Sequence, residues 1–503
     1  MPKKNQNSML KLWTLEYVVF GGDHLDYLTN DLWVFDPKIP QWRQLHPKNS
    51  PEPRADHLLM SDNNGKITMR GGYLYNTKMP GWTGDLPYVH AGPGDWIYDI
   101  ISNSWQAPAN SDVSTANKKN YRLAGFGPDH FTEGEKPNAA AHENRLANIP
   151  KNIWVNLETP KRFAYNRDWG TLGFDLDRDM IYWYNGGHCS YSGADVTHYH
   201  LATNRWDQLV ETEFAPGYLG GGESVPGWSF NRRPWIPGHS WNSYTFDSNL
   251  KKLVVNGRQG LCNKYFDQNT YFYNPSYGDW EERKKTTKAF DVYNTQVRYI
   301  PGLGSITWYG QELFKLNENS LDWEALIFKG KLTGTRLDHC GYAFDSLRKK
   351  VLFFSGGTYE GTPYSGLVDS LDISNLTFSS FTPIGSDVIG ELTTKGPNKD
   401  PSSAWFLREV VYHPISDLFI FNSTMPGGYL PALDPKKNSW VGIKLPGYHP
   451  IGESAAIAYD SKRDLFYVVG ANSDVCVLRL DPKTMEVKTF SEIAVELRKT
   501  REK

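Results

Sequence analysis

The chain has 503 residues, 14% of them aromatic, with 45 Gly, 31 Pro and 18 Trp, and a formal net charge of −2 at pH 7. That length exceeds one ordinary core, and the balance of aromatics and turn formers speaks against a helical bundle, a disordered chain and a globally basic nucleic-acid binder. No apolar run approaches the ~20 residues of a membrane-spanning helix, and Cys189, Cys262, Cys340 and Cys476 lie too far apart for a disulfide framework.

Along the chain, an apolar or aromatic residue recurs with Trp or another apolar residue seven positions later. The pairs are Phe35/Trp42, Tyr98/Trp105, Tyr199/Trp206, Tyr273/Trp280, Leu316/Trp323, Leu371/Phe378, Leu433/Trp440 and Leu480/Val487. This spacing predicts a strand, a turn at Asp-Pro or Asn, and a return strand whose Trp covers the first. Upstream of several pairs runs an apolar strand ending in glycines: Tyr17–Gly22, Ile67–Gly72, Ile181–Gly187, Leu253–Gly257 and Val351–Gly357. Before those lies another strand joined by a tight charged turn, as in Phe174-Asp175, Phe246-Asp247, Phe344-Asp345 and Tyr459-Asp460. Four short antiparallel strands in ~40–50 residues describe a blade of an all-β propeller.

The strands are named A to D from the axis outward. Eight outer pairs predict eight blades, with seven plus an irregular unit as the alternative. The first unit shows no clear strand A, and the alternating segment 492–497 is read as the strand that supplies it through the chain ends. One domain is expected over 9–497, with long D–A insertions at 109–162 and 211–237 on the pocket face.

In a propeller the B–C and D–A connections share one face, and long irregular connections usually carry function. Strand entrances, B–C loops and insertions there supply Arg54, His57, Tyr73, His130, His142, Arg145, Arg167, His188, Tyr191, Arg233, His239, Trp241, Tyr244, Arg258 and Arg408. Guanidinium forks suit carboxylate or sulfate oxygens and aromatic rings suit sugar faces, so the mouth reads as a site for an anionic glycan. Such a polymer can be cut by β-elimination: a base removes the proton alpha to the uronate carboxylate, an acid protonates the leaving oxygen, and Arg neutralises the carboxylate. His188 or His239 is the expected base and Tyr191 the acid, with His130 and His142 as second candidates. Arg167, Arg233 or Arg258 would hold the carboxylate, and Trp241, Tyr244 and Arg408 would bind sugar. This chemistry requires no cofactor. A structural zinc or calcium ion is a candidate addition, with Cys262, His339 and Cys340 as weak ligands.

The repeated glycine pair and Trp resemble kelch-type propellers over nearly the whole chain. More narrowly, Arg167-Asp168-Trp169-Gly170-Thr171 and Tyr184-Asn185-Gly186-Gly187-His188-Cys189-Ser190-Tyr191 resemble the bacterial propeller lyases that cleave ulvan and related uronate polymers. That resemblance implies a polysaccharide lyase using His and Tyr with a neutralising Arg, working as a monomer away from nucleic acid and membrane. A secreted or periplasmic location follows from the substrate class, although the first residues show no signal peptide. The competing expectations are a non-catalytic kelch scaffold that binds glycan or protein, and a glycosidase or sugar epimerase.

Overall fold

The acidic turns read from the sequence punctuate the fold. In the computed structural model, Asp175 accepts with Oδ1 the backbone N–H groups of Asp177 and Arg178. Asp247, Asp345 and Asp460 close their turns in the same way on Asn249 and Leu250, Leu347 and Arg348, and Lys462 and Arg463. Four residues after each aspartate the chain turns back through a positive φ of 52–56°, at Asp179, Lys251, Lys349 and Asp464. A carboxylate that satisfies two backbone donors lets the reversal occupy so few residues.

The structure describes residues 9–11, 16–23, 28–62, 64–75, 88–109, 131, 137–161, 167, 171–184, 194–210, 227–228, 234–235, 243–256, 269–281, 296–309, 312–332, 341–354, 366–392, 409–447, 449–450, 456–470 and 473–501. Where the sequence suggests one domain, two compact units are seen, Met1–Phe126 and Gly127–Lys503. Among the described residues they contain eight antiparallel sheets that are the blades of a β-propeller fold, seven of four strands and one of five, two in the first unit and six in the second.

In the first unit, blade 1 comprises Met9–Lys11, Tyr17–Asp23, Leu28–Asp36 and Gln41–Leu45, so strand A is present after all. Blade 2 comprises Leu58–Ser61, Lys66–Arg70, Asp95–Asp99 and Ser104–Gln106. Val18, Phe20, Leu32 and Val34 of blade 1 pack on Ile67, Met69, Tyr98 and Trp105 of blade 2. The glycine pair serves close approach: a Cβ on Gly21, at φ +57°, would lie 2.7 Å from the carbonyl oxygens of Arg54 and Thr29.

In the second unit, blade 3 runs through Gly173–Asp175, Met180–Tyr184, Val196–His200 and Arg205–Gln208. Blade 4 has Tyr244–Asp247, Lys252–Asn256, Thr270–Asn274 and Asp279–Trp280. Blade 5 has Gln296–Ile300, Gly304–Tyr309, Glu312–Leu316 and Trp323–Ala325. Blade 6 has Gly341–Asp345, Lys350–Phe354, Val368–Asp372 and Thr377–Phe381. Blade 7 has Val410–His413, Leu418–Phe421, Tyr429–Asp434 and Ser439–Lys444. Blade 8 takes Ala456–Asp460, Leu465–Val469 and Val475–Leu478, and its strand D is Trp154–Asn156 from far upstream.

These six blades form a closed circuit. The outer Trp of one blade donates its indole N–H into the blade before it, Trp280 to Ala194 O at 2.8 Å and Trp323 to Thr270 Oγ1 at 2.8 Å, while Trp440 donates to Ser386 Oγ at 3.1 Å in the connection between blades 6 and 7. Trp206 of blade 3 donates to Ser473 O of blade 8 at 3.2 Å, which makes blade 8 the predecessor of blade 3. Charges repeat the same order at the A–B turns. Arg348 of blade 6 binds Asp417 of blade 7 at 2.6 Å, His413 of blade 7 faces Asp464 of blade 8 at 2.9 Å, and Arg463 of blade 8 binds Asp179 of blade 3 at 3.0 Å.

Two expectations are corrected. Segment 492–497 is no strand but belongs to helix α2, Phe490–Arg501 (helix α1 is Ala139–Ala147). Thr489 and Glu492 make a reciprocal capping box, and Phe490, Ile493 and Ala494 are buried on one face while Val495 is exposed. Val487 does not pair with Leu480: it belongs to Glu486–Thr489, a fifth strand on blade 7 opposite Ile443, and the outer residue of blade 8 is Trp154.

Candidate functional site

The B–C end of the second unit gathers buried polar groups at the bases of its loops. Arg167, in the connection entering blade 3, is fully buried. It donates from Nη2 to Asp195 Oδ2 at 2.9 Å and from Nη1 to Trp183 O at 2.5 Å, with its Cζ 4.9 Å from the Trp183 ring centroid. Asp195 directly precedes strand C, so this pair ties the entrance of blade 3 to both ends of its B–C connection. A guanidinium in such a setting is spent on the scaffold, where a buried pair is held by geometry and hydrogen bonds.

Tyr244 has a comparable role in blade 4. Its hydroxyl donates to Thr171 O and accepts from the Tyr184 N–H at 3.1 Å, and burial pushes its pKa far above the ordinary tyrosine value. Tyr342 repeats the arrangement by donating to the carbonyl oxygens of Gln296 and Ile306 in blade 5. These tyrosines are struts between blades. Next to them, Arg298 of blade 5 lies over the Tyr342 ring and approaches Glu409, which precedes strand A of blade 7, at 4.0 Å. Because blades 5 and 7 are not consecutive, this charged pair spans the inner side of the circuit. Asn256 and Thr270, linked at 3.2 Å, extend the buried polar shell in blade 4.

His142 is placed elsewhere. It is buried in helix α1, whose Glu143 binds Arg463 at 2.6 Å and whose Leu146 carbonyl accepts from Arg479 at 3.0 Å. The described residues of connection 109–162 therefore dock at the A–B turn of blade 8, because strand D must run antiparallel to strand C and so enters from the C–D end. Burial, reinforced by Arg145, lowers the pKa of His142 and keeps its imidazole neutral.

His188, Tyr191, His239, His130, Arg233, Arg258, Trp241, Arg408, Cys262, His339 and Cys340 lie outside the described residues. In chain order, His188 and Tyr191 fall between strands B and C of blade 3, and Arg258 and Cys262 between those of blade 4. Arg233, His239 and Trp241 precede strand A of blade 4, His339 and Cys340 precede that of blade 6, and Arg408 precedes that of blade 7. Among the described residues no group of three or more His, Cys, Asp or Glu could hold a metal ion. Cys476 is buried in blade 8, and burial pushes its thiol up to about 12.

A further cluster escapes sequence reasoning. His198 Nε2 lies 2.6 Å from Tyr273 Oη, and the Asp207 carboxylate faces His198 Nδ1 at 3.2 Å and His200 Nε2 at 2.5 Å. Burial works to raise the Asp207 pKa, but hydrogen bonds from both imidazoles prevail and hold it well below the usual carboxylate range. The signal for it is the His-x-His spacing of 198 and 200 on a strand, which puts both rings on one side of the sheet. The first unit has its own buried basic pair. Arg54 Nη1 donates to Gly71 O at 3.2 Å, and burial, with the charge of Arg54 next, lowers the pKa of neighbouring His57 to about 4.

No family model and no curated protein matches the chain. Among solved structures, one described as YCF48 bound to D1 peptide aligns with a TM-score of 0.36 and 9% identity, over 66% of this chain and 99% of that one. At that level of likeness the fold class rests on the eight sheets themselves.

Proposed function

We propose that the chain is a polysaccharide lyase that cleaves a uronate-containing glycan by β-elimination at the B–C end of the second unit. The observation that carries this reading is the buried Arg167–Asp195 pair, which braces the base of the connection bearing His188 and Tyr191. A brace of that kind is what a precise proton-transfer pair needs from its support. With Arg167 and Tyr244 committed to the scaffold, Arg233 and Arg258 are the guanidiniums left to neutralise the substrate carboxylate. His188 or His239 takes the proton alpha to the carboxylate, the bond to the leaving oxygen breaks as a carbon–carbon double bond forms, and Tyr191 returns a proton to that oxygen. No water is consumed. The same face in a kelch-type scaffold would bind glycan without turnover, and a glycosidase would add water across the bond.

The test is incubation of the purified chain with polygalacturonate, alginate and ulvan. New absorbance at the ultraviolet edge reports the unsaturated sugar that elimination alone produces. Reducing ends without that absorbance mean hydrolysis, and binding without either product means a scaffold. His188→Ala and Tyr191→Phe should each lower turnover by at least about a hundredfold with unchanged circular dichroism, and full activity in both variants overturns the assignment.

A further inference from the structure

We propose that the joint between blades 7 and 8 is an acid-sensitive point of the second unit, loosened when the buried imidazole of His413 takes up a proton. This goes beyond the elimination reading and does not depend on it. The A–B turns of blades 3, 6 and 8 share one charged design. The aspartate that caps each turn holds an arginine three residues on: Asp175 with Arg178 at 2.7 Å, Asp345 with Arg348 at 2.8 Å, and Asp460 with Arg463 at 2.8 Å. In blades 6 and 8 the same guanidinium also reaches the next blade, where it meets Asp417 or Asp179. Asp417, Asp464 and Asp179 are equivalent acceptors, each four residues past the cap position at a φ of 52–54°.

Blade 7 departs from that design. Its cap position holds His413, and the position three residues on holds Ser416. His413 Nδ1 lies 2.7 Å from Ser416 Oγ, and Nε2 lies 2.9 Å from Asp464 Oδ1. An ionised carboxylate only accepts, so Nε2 carries the hydrogen and Nδ1 of the neutral ring accepts from the Ser416 hydroxyl. One imidazole thus stands in for an Asp–Arg pair. The joint between blades 6 and 7 is instead a two-bond fork, with Arg348 Nη1 and Nη2 on Asp417 Oδ1 and Oδ2 at 2.7 and 2.6 Å. A guanidinium keeps its charge throughout the range in which an imidazole titrates.

The surroundings of the ring set the direction of the response. His413 is fully buried, edge-on to Tyr459 and Phe466 of blade 8 at 5.0 Å each. The groups that face it are Asp464 and Tyr459 from blade 8 and Ser416 from its own turn, and Tyr459 shares the Asp464 carboxylate by donating to it at 3.0 Å. Other charges of the adjoining turns are committed to one another: Asp417 to Arg348, Lys462 to Asp179, and Arg463 to Asp460, Asp179 and Glu143. Burial outweighs the attraction of Asp464 and lowers the pKa of His413 from 6.5. As pH falls below 6.5, the opened chain binds a proton that the closed joint resists, so closure weakens progressively. The Arg348–Asp417 bridge keeps both charges over that range, because hydrogen bonds from Arg348 hold Asp417 below its ordinary value.

Hydrogen exchange of the full chain from pH 6.5 down to about 4.5, corrected for intrinsic rates, tests this. The A–B hairpins 410–421 and 456–469 should lose protection by at least about threefold, while the blade 6 hairpin 341–354 keeps its own. His413→Gln leaves a neutral donor toward Asp464 and should abolish the response. His413→Asp combined with Ser416→Arg rebuilds the turn of blades 6 and 8 and should abolish it as well. Where circular dichroism shows the double variant unfolded, His413→Gln decides alone. Any of three results overturns the proposal: exchange in the two hairpins that is independent of pH in the wild type, a response that persists in either folded variant, or an equal loss of protection in hairpin 341–354. Elimination product is read in a different assay, so either reading can fail without the other.

Discussion

Blades 1 and 3 carry the same outer tryptophan at the same register and put it to opposite uses. Trp206 packs beside Trp183 and Tyr199 and spends its indole N–H on Ser473 of blade 8. Trp42 packs beside Phe35 and keeps nearly half its surface in solvent. What differs is the neighbour, not the motif. In the second unit every blade has a predecessor, because Trp154–Asn156 completes blade 8 and the circuit returns to blade 3. In the first unit blade 2 has blade 1 before it. A repeat sequence thus specifies its buried row locally, while burial itself depends on closure.

The largest effect should come from unpairing the closed side of the comparison. Asp195→Ala leaves the Arg167 guanidinium charged and wholly buried, a change that costs about 3–5 kcal/mol. In urea denaturation the midpoint should fall steeply with little change in slope, and any turnover should fall with it. A loss below about 1 kcal/mol would mean that the pair braces nothing. The two tryptophans come next. Trp206→Ala removes a buried ring and a hydrogen bond and should cost about 3–5 kcal/mol, whereas Trp42→Ala should stay within about 0.5 kcal/mol. Equal costs would show that the blade 1 row is covered in solution as fully as that of blade 3.

Much of this is legible in the residues, for physical reasons that also explain the misses. Seven rows are readable because strands C and D are joined by a short turn, so Phe35 and Trp42 or Tyr273 and Trp280 meet at a fixed separation. The eighth is misread at Leu480/Val487 because the outer strand of blade 8 comes from a distant stretch of the chain and leaves no local spacing to find. Segment 492–497 alternates like a strand, yet Thr489 and Glu492 start a helix there, and a cap outranks alternation over so few residues. The partition of the blades into two and six leaves no mark in the residue pattern, since it depends on Arg463 meeting Asp179 and Trp206 meeting Ser473. At the site, residue types point to an end of the blades but not to division of labour. Arg167 and Tyr244 look like ligand groups in one dimension and become braces only once Asp195 and Thr171 are beside them.

A last prediction concerns the response of the first unit to pH. Burial and the charge of Arg54, opposed weakly by the Phe20 backbone, lower His57 from 6.5 to about 4. Between those values the unfolded chain binds a proton that the folded first unit refuses, so stability falls as pH falls. The loss totals up to about 3 kcal/mol and is complete near pH 4. In the second unit, Asp207 is depressed below the ordinary carboxylate value of 3.8, so its contribution is fully present above that pH and is lost only on further acidification. Hydrogen exchange in blade 2 peptides, corrected for intrinsic rates, should therefore quicken between pH 6.5 and 4; the second unit, where burial also lowers His142 and His413, should lose part of its own protection as pH falls. His57→Phe should flatten the blade 2 response and leave blade 3 unchanged. If blade 2 protection proves independent of pH over that interval in the wild type, His57 is not held neutral and the first unit owes its acid behaviour to other groups.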